Sequence, residues 1–153
     1  MVLIDLRGHG ESHAREPPHT VDACVEDLHA LAQHLGRWPD VVIGHSFGGK
    51  IALAYGESQP STLKVVWSLD SNPGMTTASN LGMVNQVIEA VRSTPMPAED
   101  RLAVARHFES LGFDRAVGAW MTTNVRRSET GFNWRFDIET IDALLTNYLE
   151  TDL

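Results

Sequence analysis

The chain has 153 residues, 42% of them hydrophobic, enough for one sizeable buried core and a better fit to a single domain than to two. A formal net charge of −8 excludes a general nucleic-acid binder and a ligand of anionic membranes, because both need clustered Lys and Arg to displace counterions. The single cysteine, Cys24, excludes an intrachain disulfide and points to a reducing, intracellular setting, the cytoplasm by default.

No apolar run approaches the ~18 residues that a transmembrane helix needs, so a soluble protein is expected. The first predicted element is a strand at Met1-Val2-Leu3-Ile4, which begins without a leader and ends at Asp5-Leu6-Arg7-Gly8-His9-Gly10, a loop leaving the sheet. Thr20 is a predicted N-cap, and Val21, Cys24, Val25, Leu28, Leu31, Ala32 and Leu35 recur at helical spacing up to Gly36. Val41-Val42-Ile43 reads as a strand covered on both faces and runs straight into Gly44. A helix over Lys50 to Tyr55 is expected to stop before Pro60, and Leu63 to Leu69 reads as a further strand.

This alternation implies parallel strands joined by crossovers, an α/β architecture whose sites form beyond the carboxyl ends of the strands. Past Asp70 the composition predicts helices near Leu81 to Arg92, Glu99 to Leu111, Asp114 to Arg126 and Ile138 to Leu149, with no further strand. The expected division is a core over residues 1–72 and a helical lid or cap over 73–153.

The chemistry concentrates in Gly44-His45-Ser46-Phe47-Gly48. A serine hydroxyl is a poor nucleophile at neutral pH, so it must be held exposed, beside a base, with donors ready for a developing oxyanion. Gly-x-Ser-x-Gly between a strand and a helix meets the first need, since small residues at Gly44 and Gly48 let a sharp turn close, and Gly49 relaxes it further. Ser46 then heads a helix, where the Phe47 N–H is placed as an oxyanion donor.

Two motifs carry a family resemblance. Val2 to Ser12 resembles the fourth strand and following loop of the α/β-hydrolase superfamily, and Gly44 to Lys50 resembles its nucleophile elbow. With Val65 to Asp70 as the sixth strand, the pattern is similar to the small esterases grouped around α/β-hydrolase domain-containing protein 11 and its bacterial relatives. The resemblance implies a partial α/β-hydrolase sheet followed by a helical lid over an acyl pocket, and a serine carboxylesterase or thioesterase acting on a small-molecule acyl substrate without cofactor or metal.

It also implies a triad in which the acid follows the sixth strand, the place of Asp70; the competing reading of Asp70 is a cap for the turn Ser71-Asn72-Pro73. None of His9, His13, His19, His29, His34, His45 and His107 is a good candidate for the base. His29 and His34 read as solvated surface, His45 is expected to point away from Ser46, and His9 and His13 sit in a loop above the strand ends. The histidine is therefore expected beyond Leu153 and a second oxyanion donor before Met1, as in a hydrolase cut at both ends. A dinucleotide loop at Gly8-His9-Gly10 lacks its third glycine. Trp120, Phe132, Trp134 and Phe136 read first as core packing and second as pocket lining. The rival to an esterase is a catalytically silent domain of the same fold that binds a ligand or partner.

Overall fold

The computed structural model describes residues 1–13, 16–58, 62–75 and 78–153, with the backbone alone for 78–81. The chain divides into two compact units, one of Met1–Ala14 with Gly82–Ile141, the other of Arg15–Leu81 with Asp142–Leu153.

The second unit carries the sheet. Its first helix, α1 (Val21–His34), starts where the extended Thr20 accepts the Ala23 N–H on its hydroxyl, satisfying one of the first-turn amides that lack an intrahelical acceptor. Val21, Cys24, Val25 and Ala32 form its buried stripe. At the far end Gly36 takes φ +61°, and the Gly36 and Arg37 amides bond to the carbonyls of Gln33 and Ala32 at 3.0 Å each, closing the helix as the glycine predicts.

Strand β1 (Val41–His45) lies parallel to β2 (Val65–Leu69), with Val41 opposite Val65 and His45 opposite Leu69. Helix α2 (Phe47–Ser58) connects them and packs on both strands and on α1. Its predicted stop at Pro60 lies outside the described residues. The sheet face that carries Val66 and Ser68 sits under Gly56 and Gly49 of α2. The opposite face holds Val41, Ile43, Val65, Trp67 and Leu69, with Ile43 65% and Trp67 56% exposed. The β-branched run of β1 predicts cover on both faces; among the described residues only one is covered. Composition records a preference for burial, whereas burial itself needs a second layer.

The predicted strand at Met1–Ile4 does not form, and all four side chains are exposed. A strand exists only where a neighbour completes its ladder. The loop that follows finds its partners elsewhere: the Gly10 amide donates to the Arg135 carbonyl at 2.6 Å, and the Asp137 amide to the Gly8 carbonyl at 2.8 Å.

Helix α3 (Ala78–Ser93) leads into the first unit, which continues with α4 (Arg101–Ser110), capped by the Asp100 carboxylate, and α5 (Arg115–Met121), capped by Asp114. The helix expected to reach Arg126 ends at Met121 and passes through a 3-10 turn into an antiparallel hairpin, β3 (Val125–Ser128) with β4 (Gly131–Trp134). Each strand has four residues, too short for a β-branched run, and its only sequence trace is the period-two placing of Phe132 and Trp134. Ala90, Val91, Ala98, Val104, Phe108, Met121 and Val125 form this unit's core. Helix α6 (Ile138–Glu150) closes the chain, with Leu144 and Leu149 buried.

Candidate functional site

Strand β1 ends at His45, and the chain turns at once into α2. Ser46, at the bend, takes φ +52° and is exposed. For a residue with a Cβ the left-handed region costs about 1–2 kcal/mol, so something must hold it there. Two backbone bonds do: the Ser46 N–H donates to the Leu69 carbonyl at 2.8 Å, and the Gly49 N–H donates to the Ser46 carbonyl at 2.9 Å. The first extends the β1–β2 ladder past the end of the strand.

The glycines divide the steric work differently from the sequence expectation. A Cβ on Gly44 would fall on the Gly48 carbonyl, so the bend closes only over a hydrogen at that position. Gly49 faces the second strand, where a Cβ would lie 2.8 Å from Ser68 Oγ. At Gly48 a Cβ would meet nothing within 4 Å, so the second glycine of the motif is not demanded by its own side-chain space.

Asp70 occupies the equivalent place at the end of β2, also at positive φ, +48°. In the loop that follows, Asn72 Oδ1 accepts the Gly74 amide at 3.1 Å. The structure thus brings Ser46 and Asp70 to adjacent strand tips, each one residue beyond a paired position. His45, expected to point away from the serine, extends its Nε2 to 3.9 Å from Asp70 Oδ2. Both side chains are largely exposed, and such a pair contributes little to stability. Phe47 opens α2, and its ring stands 5.4 Å from that of Tyr148.

Three of the remaining histidines have structural neighbours. His29, read as solvated surface, is half-buried instead: its Nε2 lies 2.9 Å from Ser58 Oγ and its ring 5.1 Å from that of Tyr55. His9 Nδ1 stands 3.2 Å from the Arg7 carbonyl, and His107 Nε2 stands 3.0 Å from Ser93 Oγ. His13 and His34 are exposed. His9, His13 and His107 belong to the unit that does not hold Ser46. Trp134 stacks on Phe136 at 5.1 Å, and both pack with Phe132 against the first unit's core, whereas Trp120 is 59% exposed.

One residue near the bend enters the sequence reading only as the last position of the elbow segment, with no role of its own. Lys50, in the first turns of α2, is fully buried, and its Nζ donates to the carbonyls of Gly74, Tyr148 and Thr151 at 3.0, 2.7 and 2.8 Å. Burial holds its pKa below the ordinary lysine value, and the charge of Asp152 opposes that shift. The available signal is a single cation inside an otherwise small and apolar helix segment, Gly48 to Tyr55.

A parallel sheet with a connecting helix, and a serine at a strained strand-to-helix bend, define the class, and comparison with known proteins settles it. Residues 1–136 match the alpha/beta hydrolase fold family, and the chain belongs to that family. Among curated relatives it is 31% identical, over 98% of its own length and 47% of theirs, to the zebrafish (Danio rerio) sn-1-specific diacylglycerol lipase ABHD11. It is 34% identical to the lipase LipV of Mycobacterium tuberculosis over 76% of this chain and 40% of that protein. A marine microorganism esterase of known structure superposes with a TM-score of 0.86 at 24% identity, covering 97% of this chain and 58% of that one. The chain spans about half the length of the curated relatives it matches. Among the described residues no helix is long and apolar enough to cross a membrane.

Proposed function

We propose that this protein is a serine hydrolase that cleaves carboxylic esters or thioesters through an acyl-enzyme at Ser46. The observation that carries the reading is the exposed serine held at φ +52° on the tip of β1, with Asp70 at φ +48° on the neighbouring tip. In this mechanism Ser46 Oγ attacks the acyl carbonyl and gives its proton to a histidine that Asp70 orients. The Phe47 amide donates to the tetrahedral oxyanion, the alcohol or thiol leaves with the histidine's proton, and water then releases the acid. The substrate class, a small-molecule ester, is supported by the activities for which the lipase relatives are named. The division into a core over 1–72 and a cap over 73–153, and a reducing intracellular compartment, belong to the same proposal.

In the folded full-length protein a fluorophosphonate probe is expected to label Ser46, and Ser46→Ala is expected to abolish the label. An unlabelled, folded protein would sink the hydrolase reading and favour a silent ligand-binding domain of the same fold.

A further inference from the structure

Asp70 is poorly fixed by its own side chain, whose carboxylate is 94% exposed, yet its backbone sits in a strained conformation. What holds it must act through the chain on either side. Before it, Leu69 is bonded to Ser46; after it, Gly74 is bonded to the buried ammonium of Lys50. Lys50 stands on the helix that Ser46 introduces, so both anchors of the Asp70 loop run back to the same bend.

The geometry of Lys50 is complete. An ammonium has three hydrogens, and three carbonyl oxygens receive them. Two of these, Tyr148 and Thr151, lie at the carboxyl end of α6, where carbonyls lack intrahelical donors and a cation is favoured by the helix dipole. The Tyr148 ring lies 4.2 Å from Nζ and reaches toward Phe47, and the Leu153 amide donates to the Pro73 carbonyl at 3.2 Å. Burying an ammonium is costly, and an apolar side chain would pack α2 without that cost. An apolar side chain would not join three separate backbone segments.

We infer that Lys50 is a positioning residue, a buried cation that ties the loop following Asp70 and the end of α6 to the helix behind Ser46 and so sets the direction of the Asp70 carboxylate. The inference rests on the proposed partnership of Ser46 and Asp70. It gives Lys50 no contact with substrate. Its action passes through the backbone of residues 70–74.

The test uses full-length protein carrying Lys50→Met, which keeps the stem and removes the charge, and Lys50→Gln, which keeps two N–H donors. In hydrogen–deuterium exchange, residues 70–75 and 147–153 are expected to exchange about tenfold faster in Lys50→Met and by a smaller factor in Lys50→Gln, while α1 stays at the wild-type rate. In fluorophosphonate labelling, Lys50→Met and Asp70→Asn are each expected to slow the reaction, and the double variant to be no slower than Asp70→Asn alone. Multiplying losses in the double variant would overturn the inference, because Lys50 would then act by a route other than Asp70. Equal loss of protection in α1 for both variants would overturn it too, since the lysine would support the whole unit. If wild-type protein is not labelled at all, the hydrolase reading fails, and the exchange pattern alone decides whether Lys50 holds the loop.

Discussion

A methyl group on Gly44 would land on the carbonyl oxygen of Gly48, a backbone atom that cannot swing aside while the bend stays closed. Gly44→Ala is therefore expected to destabilise the protein by about 1–3 kcal/mol and to abolish labelling of Ser46, whereas Gly48→Ala, with open space around the added carbon, keeps both. Thermal melts of the two variants beside the wild type check this; equal loss in both would refute the steric assignment. Much of the candidate site is legible at this scale, since the spacing of Gly44, Ser46 and Gly48 marks the bend before any coordinates are known. Which glycine meets what is not legible, because Gly49 owes its place to Ser68 on β2 and Ser71 just beyond it, about twenty residues away. Lys50 is hidden for the same reason: its acceptors are backbone carbonyls up to about a hundred residues distant, and carbonyls carry no residue-specific signal.

Helix α1 is the element the sequence specifies best, because cap, apolar stripe and terminating glycine all act within its own residues. Thr20→Ala removes the acceptor for the Ala23 amide and is expected to cost about 1 kcal/mol, read as a lowered denaturant midpoint with an unchanged slope. The β3–β4 hairpin marks the opposite case. Its strands are too short to register as a pattern, and its pairing is reinforced from outside, where the amides of Ala98 and Phe132 exchange 2.8 Å bonds with each other's carbonyls. The N-terminal segment errs in the other direction: Met1 to Ile4 has a strand's composition, but no neighbour among the described residues completes its ladder.

At the scale of the molecule, the exposed face of the β1–β2 sheet gathers Val41, Ile43, Val65, Trp67 and Leu69, a contiguous apolar patch of a kind that folded proteins seldom leave bare. Dyes that fluoresce in apolar surroundings, such as ANS, are expected to bind the folded chain, and Ile43→Thr with Trp67→Thr is expected to remove most of that signal with little change in melting temperature. Dye binding that survives both substitutions would place the patch elsewhere. Fold class was readable at this scale from strand–helix alternation, but the interleaving of the two units was not. Residues 1–14 group with 82–141, and 142–153 with 15–81, through contacts that span most of the chain and leave no local periodicity.

The hydrogen bond from Ser46 to Leu69 joins two corners that are each uncomfortable alone. Neither can relax to an ordinary backbone angle without releasing the other's anchor, so the aim of the hydroxyl lasts as long as the two strands stay zipped. Orientation of the serine hydroxyl is thus a property of the sheet. Loops grafted above it can change what is gripped while leaving untouched the corner that would do the cutting.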